Sequence, residues 1–500
     1  MKTESVCVPG KLSSVFIIFG ATGDLTRRKL MSAFYNLVSD SLLPDNFVII
    51  AIGRRDKTTE QYRQEMLSAI TKYSRNPVDP KIWNKLSQMI TYYQFDFKDL
   101  DGYTELAKHI QTIEKKSCTG GNRVFYLAVA PLYFETIVKG IKKGGLSDTC
   151  SGFCRCVIEK PFGKDLQTAT QLNNSILQVF PEKNIYRIDH YLGKDMIQNI
   201  MVLRFSNAVF ESIWDNKHID NIQISLTEEL GVGSRANYYE QSGAMRDMFQ
   251  NHILQILSLV AMEPPANLQM ESIRNEKQKV LQSMEEISPD FLQNNVVFGQ
   301  YDEGEIKGNK VPAYRDEENV NPASRTETFV ALKMHINNFR WAGVPFYIRT
   351  GKRMGTTSGE IIVQFKDLPH TLYYKENRVQ QPNLLILHIQ PKVGVFFQFN
   401  TKDFTPHNDI VPAKMDTSSF IPDQGNTPEA YERLIYDILR GDASLFSRWD
   451  EVESAWSIAD RIIAYREHIK AHFPNYKAGS MGPERATELI EKDGRHWIKI

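Results

Sequence analysis

The sequence predicts an α/β domain with a doubly wound parallel sheet, followed by an α+β domain with a large, mostly antiparallel sheet. Two observations predict this fold class. In the first third of the chain, short apolar runs such as VFIIF at Val15–Phe19 alternate with helical patterns. Later, five runs typical of strands follow one another with few helices between them. Alternating strands and helices favour a parallel sheet, whereas strands in direct succession favour antiparallel pairing.

Length and composition limit the class of protein further. Five hundred residues correspond to two or three domains at about 100–200 residues each. The 60 basic and 60 acidic side chains cancel, which argues against a dedicated nucleic-acid binder. Apolar residues make up 42% of the chain and charged residues 24%, as in ordinary soluble proteins. Because the pattern changes near residues 185–200, we predict domains over 1–190 and 191–500.

Apolar runs and helical periodicity predict the individual elements. In the first domain we predict strands at Val15–Phe19, 47–52, 124–129 and 156–158, and helices at 30–43 and 61–73. In the second domain we predict strands at 222–228, 328–335, 346–350, 360–365, 384–390 and 395–400. The helices of that domain are predicted at 195–205, 242–262, 429–440 and 451–470, and the prolines at 264 and 265 end the second of them.

A glycine turn after the first strand is typical of a nucleotide site. Gly20 and Gly23 lie in the string GATGDL, where backbone N–H groups at the start of a helix point at a phosphate. The pattern G-x-G-x-x-G is incomplete, since Ile18 stands at its first glycine, so an ordinary strand–helix turn is the alternative. Lys29 is a further candidate for the phosphates, or else a solvated helix lysine.

The end of the second predicted strand carries Arg54. An acidic residue at this place binds the ribose 2′-hydroxyl of NAD, whereas an arginine suits the 2′-phosphate of NADP. Asp56 lies two residues further on and weakens the distinction, and solvated arginines are the alternative. With the glycine turn, Arg54 predicts a Rossmann-like domain that prefers NADP.

The segment RIDHYLGK concentrates chemical groups at the end of the first domain. Asp189, His190, Tyr191 and Lys194 lie within six residues. A helical turn would bring His190 and Lys194 together, and two cationic or donor groups beside a phenol suit a phosphate. Lys160, in the string EKPFG, follows a predicted strand, so it lies beside the cofactor crevice or in an ordinary loop.

His252 is the candidate general base. The apolar stripe of its predicted helix comprises Met245, Phe249, Ile253, Ile256 and Val260. His252 lies about 60° from this stripe at ~100° per residue, a boundary position that faces a cleft. Oxidation of an alcohol needs a base, histidine titrates near neutrality, and Asp189 or Asp247 is the candidate carboxylate that orients it. The alternative is a boundary histidine without a chemical role.

The five cysteines predict neither a disulfide scaffold nor a metal site. Cys150, Cys154 and Cys156 cluster, but no Cys-x2-Cys pair and no nearby histidine completes a zinc set. We expect ordinary reduced thiols and no metal. The N-terminal residues lack a secretory-signal pattern and no run of about 20 apolar residues occurs, so we expect a cytoplasmic protein.

Five strings carry a resemblance to a known family: GATGDL, EKPFG, RIDHYLGK, RDMFQNH and FYIRTGK. Their order and spacing resemble those of the glucose-6-phosphate dehydrogenases, and RIDHYLGK is highly specific to that family. Weaker similarity runs through PNLLILHIQP and YERLIYDILRGDASLF, so the resemblance covers nearly the whole chain. It implies NADP-dependent oxidation of glucose 6-phosphate at C1 to the 6-phosphoglucono-lactone, the first step of the oxidative pentose phosphate pathway.

The resemblance also implies roles for residues that match the family's motifs. His252 would be the general base, and Asp189 would hold it in orientation. The 6-phosphate would be held by His190, Tyr191 and Lys194. The remaining substrate contacts would come from Lys160, Glu228, Asp247 and Lys352, and the coenzyme site would comprise Gly20, Gly23, Lys29, Arg54 and Lys160.

The chain departs from the family pattern at places that bear on affinity. Thr357 stands where many members carry a second basic residue, and Glu229 replaces the proline that often follows the residue matching Glu228. Some eukaryotic relatives bind a second, structural NADP near the C-terminus. Because the ending GRHWIKI looks more like the bacterial pattern, we do not predict that second site.

Two other classes of function are weighed against this one. A non-catalytic NADP(H) redox sensor has no reason to keep both His252 and Asp189. A dehydrogenase of another sugar or sugar phosphate is the second, and the cluster around Lys194 favours a phosphate ester, since buried cations reject an uncharged analogue. The expected partner is the small-molecule substrate, with no nucleic acid or membrane. A homodimer or homotetramer is typical of the family, and exposed strands permit it.

Overall fold

The described part of the chain forms two compact units. The computed structural model describes residues 12–148, 151–368, 381–403, 410–417, 427–469 and 472–498. The first unit comprises Met1–Gly193, Leu268–Arg274 and Asp423–Glu453, and the second comprises Lys194–Asn267, Asn275–Pro422 and Ser454–Ile500. The predicted domains over 1–190 and 191–500 stay a proposal. Among the described helices, none is long and apolar enough to cross a membrane.

Strands and helices alternate along the first part of the chain. The strands are β1 Val15–Phe19, β2 Val48–Gly53, β3 Ile90–Gln94, β4 Arg123–Leu127, β5 Cys154–Ile158 and β6 Ile185–Ile188. The helices are α1 Met31–Ser39, α2 Thr59–Tyr73, α3 Pro80–Met89, α4 Tyr103–Ser117, α5 Phe134–Lys143 and α6 Leu166–Leu177. A π-helical segment, Thr26–Leu30, leads directly into α1.

Most strands lie in the second part of the chain. The helices there are α7 Asp195–Phe205, α8 Ala208–Glu211, α9 Ala236–Ala244, α10 Leu254–Ala261, α11 Met270–Gln282, α12 Pro289–Asn295, α13 Ala430–Arg440, α14 Trp449–His468 and α15 Glu484–Glu491. The strands are β7 Ile219–Thr227, β8 Val296–Gly299, β9 Tyr301–Asp302, β10 Gly304–Ile306, β11 Asn309–Val311, β12 Phe329–Met334, β13 Phe346–Gly351, β14 Ser358–Phe365, β15 Leu384–Gln390, β16 Gly394–Lys402, β17 Ile410–Asp416, β18 Phe446–Ser447 and β19 Tyr476–Lys477.

The first unit is built on the predicted doubly wound sheet. Within the described residues, its strand order is β18-β6-β5-β4-β1-β2-β3. Neighbours are parallel except β18, which is antiparallel to β6. Every residue of β1, β2 and β4 is buried, which explains why these strands are nearly continuous apolar runs. The order reverses between β1 and β4, and nucleotides bind at such a switch point.

A helix from far along the chain completes the core of the first unit. Leu434 and Ile438 of α13 pack in the same apolar cluster as Phe34 of α1. Glu432 of α13 is 2% exposed, and its carboxylate accepts hydrogen bonds from Arg75 and from Asn36 Nδ2, both at 2.9 Å. Periodicity predicts the helix at 429–440, but it contains no information on the sheet against which that helix packs.

The second unit is built on a large, mostly antiparallel sheet, which confirms the predicted fold class. Among the described residues, its strand order is β17-β16-β15-β14-β7-β13-β12-β8. All neighbouring pairs there are antiparallel except β7 and β13, which run parallel with Thr227 opposite Gly351. This pair therefore brings the carboxyl ends of two strands to the same edge of the sheet.

The single helix predicted over 242–262 is divided into three parts. The backbone of α9 is kinked at Gly243, with φ 60° and ψ −177°. Met245–Ile253 is then π-helical, and α10 completes the segment. A positive φ is open to glycine at little cost, whereas other residues are strained there. Apolar periodicity could not show this division, because it assumes one regular helix.

The prediction of reduced thiols is wrong for Cys118. Cys118 is disulfide-bonded, whereas Cys154 and Cys156 are reduced thiols outside any disulfide. Cys7 and Cys150 lie outside the described residues. Spacing in the sequence does not report the distance between Cα atoms, and this distance decides which cysteines can be bridged.

We predict that Gly20→Ala destabilises the first unit by about 2 kcal/mol or more. Gly20 has φ +95°, and an added Cβ would lie 2.2 Å from the carbonyl oxygen of Ala128. The matched control is Gly145→Ala, because Gly145 has φ +64° but no atom within 4 Å of the added Cβ. The control should lose only about 1 kcal/mol. Urea unfolding followed by circular dichroism measures both, and equal losses would contradict the prediction.

Candidate active site

Glu228 and Lys352 follow the carboxyl ends of the parallel strands β7 and β13. The amide of Glu228 donates to the carbonyl of Gly351 at 3.0 Å, and Lys352 Nζ donates to Glu228 Oε2 at 2.5 Å. The Tyr476 hydroxyl donates to the Lys352 carbonyl at 2.8 Å, and the Lys352 ammonium lies 5.1 Å from the centroid of the Tyr239 ring. Two residues predicted separately as substrate contacts thus form an ion pair.

A cavity of about 430 Å³ opens beside this ion pair in the second unit. Its lining includes the predicted residues Glu228, Asp247 and Lys352, together with the loop 230–235. Arg235 and Arg353 also line this cavity, and neither is among the site residues predicted from the sequence. Arg353 directly follows the string FYIRTGK, and this position beside a recognised motif was the indication of it in the sequence. Carboxylates and cations on one wall suit a ligand that carries several hydroxyl groups.

Asp247 and His252 both lie on the π-helical segment Met245–Ile253. His252 is only 1% exposed, so the predicted boundary position is wrong. A π-helix closes each turn with an i→i+5 hydrogen bond, so the α-helical angle of about 100° per residue does not apply to it. Such segments occur frequently at functional sites.

The Asp247 carboxylate has a defined partner. Its Oδ1 accepts a hydrogen bond from the Tyr238 hydroxyl at 3.2 Å, and the Asp247 side chain is buried. Burial, together with the charge of Asp247, holds the pKa of Tyr238 well above its ordinary value. Tyr238 therefore stays protonated and remains a donor to Asp247 at neutral pH. Tyr238 lies outside every motif quoted from the sequence.

Buried donors hold the carboxyl end of α10, the helix that continues from His252. The Arg204 guanidinium donates to the carbonyls of Val260 at 3.0 Å and Met262 at 2.8 Å. The Trp341 indole donates to the Ala261 carbonyl at 2.7 Å. Removal from water lowers the pKa of Arg204 to about 10, so it keeps its charge at neutral pH. These bonds satisfy carbonyls that a helix end leaves unpaired and fix the position of the helix.

The segment 189–193 forms a turn at the end of β6. Asp189 Oδ1 accepts a hydrogen bond from the Tyr191 amide at 2.9 Å, and both side chains are buried. The His190 ring lies 5.1 Å from the Tyr191 ring between centroids. Because α7 begins only at Asp195, the helical turn expected from His190 to Lys194 does not form.

Lys194 lies in the second unit and contacts a residue that the sequence analysis did not name. Its Nζ donates to Gln390 Oε1 at 2.5 Å. Gln390 is the last residue of β15, in the string PNLLILHIQP. The sequence indicated Gln390 as a candidate only by its polar side chain at the end of a predicted strand, directly before Pro391.

Lys160 follows β5 at the carboxyl edge of the parallel sheet, and its neighbour Glu159 is held by two tyrosines. Glu159 Oε1 accepts hydrogen bonds from the Tyr126 hydroxyl at 2.5 Å and from the Tyr431 hydroxyl at 3.2 Å. Burial raises the pKa of Glu159 to about 7. None of the three is among the predicted site residues, although Glu159 lies in the string EKPFG and Tyr431 begins the string YERLIYDILRGDASLF.

The glycine turn lies at the carboxyl end of β1. The amides of Gly20 and Ala21 donate to the Ile52 carbonyl at 3.1 and 2.9 Å, and the Gly23 amide donates to the Gly20 carbonyl at 2.9 Å. A cavity of about 400 Å³ adjoins the turn, and its lining includes Thr22 and the cations listed here: Arg27, Arg28 and Lys72. A glycine turn beside a cationic cavity fits a dinucleotide that carries an additional phosphate.

The other two cations predicted for the coenzyme have different surroundings. Arg54 is exposed, and its guanidinium carbon lies 5.9 Å from the centroid of the Phe97 ring. Lys29 Nζ forms an ion pair with Glu429 Oε2 at 2.8 Å. Lys29 therefore already has an anionic partner within the first unit, whereas Arg54 faces solvent.

Two family descriptions match almost the entire chain. "Glucose-6-phosphate dehydrogenase, NAD binding domain" matches residues 17–199, and "Glucose-6-phosphate dehydrogenase, C-terminal domain" matches residues 201–498. The chain belongs to the glucose-6-phosphate dehydrogenase family. The resemblance seen in the five strings is thereby confirmed.

Individual members of the family are similar over their full length. The glucose-6-phosphate 1-dehydrogenase of Bacillus subtilis is 48% identical over 97% of this chain and 98% of its own. The enzyme of Chlamydia pneumoniae is 44% identical over 97% and 95% of the two chains. A solved glucose-6-phosphate dehydrogenase in complex with its substrate, glucose 6-phosphate, is 32% identical, with TM-score 0.88 over 97% and 99%. The enzyme from Mycobacterium avium is 31% identical, with TM-score 0.81 over 97% and 99%.

The departure from the family pattern at Thr357 has a structural explanation. Thr357 Oγ1 accepts a hydrogen bond from the Glu229 amide at 3.0 Å. The Glu229 carboxylate in turn pairs with Lys307 at 2.8 Å. Thr357 thus fixes the backbone directly after Glu228, at the start of the loop that lines the cavity. Arg353, four positions before Thr357, lines the cavity, and its guanidinium forms an ion pair with Glu317 at 3.0 Å.

We predict that Glu159→Gln reduces the loss of stability at high pH. The pKa of Glu159 rises from 4.5 to about 7 on folding. The stability linked to its proton is therefore fully present below pH 4.5 and is lost as the pH rises through about 7. Wild type should lose up to about 3 kcal/mol relative to the variant between roughly pH 5 and 8. Urea unfolding of both proteins across this range measures the difference, and parallel curves would refute it.

Proposed function

We propose that this chain oxidises D-glucose 6-phosphate at C1 to 6-phospho-D-glucono-1,5-lactone with NADP, the first step of the oxidative pentose phosphate pathway. The observation that carries the proposal is 48% identity to a glucose-6-phosphate 1-dehydrogenase over 97% of this chain. The relative whose structure contains glucose 6-phosphate has the same fold at TM-score 0.88. Bound NADP supplies the acceptor for the hydride that leaves C1.

His252 is the proposed general base. It accepts the proton of the C1 hydroxyl while the C1–H electron pair leaves as hydride, so a C=O bond forms at C1. Asp189 holds the imidazole in orientation. Burial of His252 supports this role, because a base shielded from water receives its proton from the bound ligand.

Residues on the wall of the 430 Å³ cavity bind the sugar. The Glu228 and Asp247 carboxylates accept hydrogen bonds from its hydroxyls, and Lys352 donates to it. Support comes from the hydrogen bond between Lys352 and Glu228 at 2.5 Å, since each side chain holds the other in place. Lys160 lies between the sugar and the nicotinamide in this proposal.

The 6-phosphate is bound by His190, Tyr191 and Lys194. An imidazole, a phenol and an ammonium supply donors that match phosphate oxygens. Gln390 supports this assignment, because its hydrogen bond to Lys194 orients the ammonium.

The coenzyme is bound by the glycine turn and the cations beside it. Gly20 and Gly23 allow the pyrophosphate to approach the backbone, and Lys29 is placed near it. Arg54 contacts the 2′-phosphate. Arg27 and Lys72, which line the cavity next to Thr22, add positive charge on the same side of the turn.

We further propose a homodimer or homotetramer that works in the cytoplasm. In the described sheet of the second unit, β17 is an edge strand, so its outer backbone groups are available to a second copy of the chain. The cytoplasmic location stays a prediction from the sequence.

Absorbance at 340 nm tests the proposed reaction. Purified protein is mixed with glucose 6-phosphate or free glucose, each with NADP or NAD. Rapid reduction of NADP with the phosphate ester alone is expected. Reduction with free glucose at a similar rate would reject the phosphate site. Tight NADPH binding without any reduction would favour the redox sensor.

We predict that His252→Asn lowers kcat by two to four orders of magnitude, the contribution typical of a general base. KM for glucose 6-phosphate should change little, because the substitution removes the proton acceptor and not a binding contact. Steady-state kinetics at saturating NADP measures both values. Near-normal kcat in the variant would exclude His252 as the base.

A further inference from the structure

Glu327 is a completely buried carboxylate at the start of the helix that carries His252. Its exposed fraction is 0%. Oε1 accepts a hydrogen bond from the Met245 amide at 3.1 Å, and the Glu327 backbone carbonyl accepts one from the Ala244 amide at 3.0 Å. The N–H of the N-cap residue Ala244 and the first N–H of the π-helical segment Met245–Ile253 are therefore both bound by a single residue, which lies just before β12.

Gly243 makes this approach possible. Its φ of +60° turns the backbone away from the preceding helix, and an added Cβ would lie 2.3 Å from Glu327 Oε1. A residue with a side chain would therefore displace the carboxylate, and it would be strained in this conformation as well. The kink at Gly243 is therefore needed for the Glu327 carboxylate to reach the Met245 amide.

Arg466 balances the buried charge. Its guanidinium forms an ion pair with Glu327 Oε2, and its second partner, Glu467, is more distant at 3.7 Å. A buried carboxylate without a cation is costly, and Arg466 of α14 supplies the cation that pairs with Glu327. The charge then faces the amino end of the segment, where a helix carries partial positive charge.

We propose that Glu327 is a positioning residue for the proton-transfer step. It fixes the first turn of Met245–Ile253 and so sets the rotation and register at which Asp247 and His252 are presented. A π-helical segment needs such a constraint, because the i→i+4 hydrogen bonds of an α-helix offer the same residues an alternative. The inference rests on the function proposed for His252. Glu327 acts through the helix.

The test compares Glu327→Gln and Glu327→Ala with a matched control. The glutamine keeps the acceptor for the Met245 amide and loses the charge, whereas the alanine loses both. The control is Glu114→Gln, because Glu114 also forms a largely buried ion pair, with Arg123 at 2.7 Å, but lies in α4 of the first unit. Each protein is assayed with glucose 6-phosphate and with its C1-deuterated form.

We expect kcat to fall about 100-fold in Glu327→Ala, the cost typical of a displacement of roughly 1 Å. Glu327→Gln should recover part of the loss, to about 10-fold below wild type, and KM for the sugar phosphate should stay within about twofold. The primary deuterium isotope effect on kcat should rise in both variants, since the chemical step becomes slower than product release. Glu114→Gln should leave both values unchanged.

Lower thermal stability with normal kcat and an unchanged isotope effect would overturn the inference, because the role would then be structural only. If Glu327→Ala does not fold, Glu327→Gln and Arg466→Lys still decide the question by the same two values. Failure of the proposed function would be distinguishable, because the wild-type protein would then turn over neither glucose 6-phosphate nor its C1-deuterated form.

Discussion

The parallel pairing of β7 with β13, inside an otherwise antiparallel sheet, is the constraint on which the second unit's site depends. Parallel neighbours need a long crossover, whereas antiparallel neighbours can be joined by a short turn. The crossover from Thr227 to Phe346 contains the π-helical segment with Asp247 and His252. The same pairing places Thr227 opposite Gly351, and so Glu228 beside Lys352. One topological choice thus determines both the ion pair proposed to bind the sugar and the place of the proposed base in the chain.

The helical stretch 245–261, which contains the proposed base His252, is held at both ends, and its first part is π-helical. Arg204 and Trp341 donate to the carbonyls at the carboxyl end of α10, and Glu327 accepts from the amides of Ala244 and Met245 at the start of the π-helical segment. A π-helix has poorer hydrogen-bond geometry than an α-helix and is found mostly in short pieces, so tertiary contacts must support it. Here the contacts are buried, and those of Arg204 and of the Glu327 carboxylate involve a charged group, which makes them stronger than neutral hydrogen bonds. The surrounding structure thus maintains the irregular segment, which carries the proposed general base.

A feature of the fold could be predicted when the pattern that indicates it lies within a few neighbouring residues. VFIIF was predicted as a strand because a strand buried on both faces leaves a continuous apolar run, visible within five residues. The antiparallel character of the second sheet was predicted in the same way, from strands in succession. The division of 242–262 was not, because apolar spacing assumes 3.6 residues per turn and Gly243 gives no sign of its φ. The disulfide at Cys118 was not predicted either, since spacing contains no distance.

The candidate site was predicted in its chemistry more than in its connections. His252, Asp247 and Lys352 were named from motifs, yet the contact of Glu228 with Lys352 joins residues 124 positions apart. The tyrosines around Glu159 come from β4 and α13, and no local pattern links them. Gln390 and Arg353 lay at or just beyond the ends of recognised strings. A local motif identifies the type of each residue, whereas the residue that it contacts depends on the topology of the fold.

The place of α13 in the first unit has a consequence for biosynthesis. The hydrogen bond between Asn36 and Glu432 joins residues 396 positions apart, so the core around α1 stays open after residue 193 has been synthesised. At about 5–20 residues per second, the roughly 240 residues still needed take about 10 to 50 s. Throughout that time the nascent chain carries the apolar surface that Leu434 and Ile438 later cover. The core of the nucleotide-binding unit is therefore among the last parts of the protein to be completed during synthesis. Until then, the apolar surface around α1 is a site to which chaperones that shield such surfaces can bind.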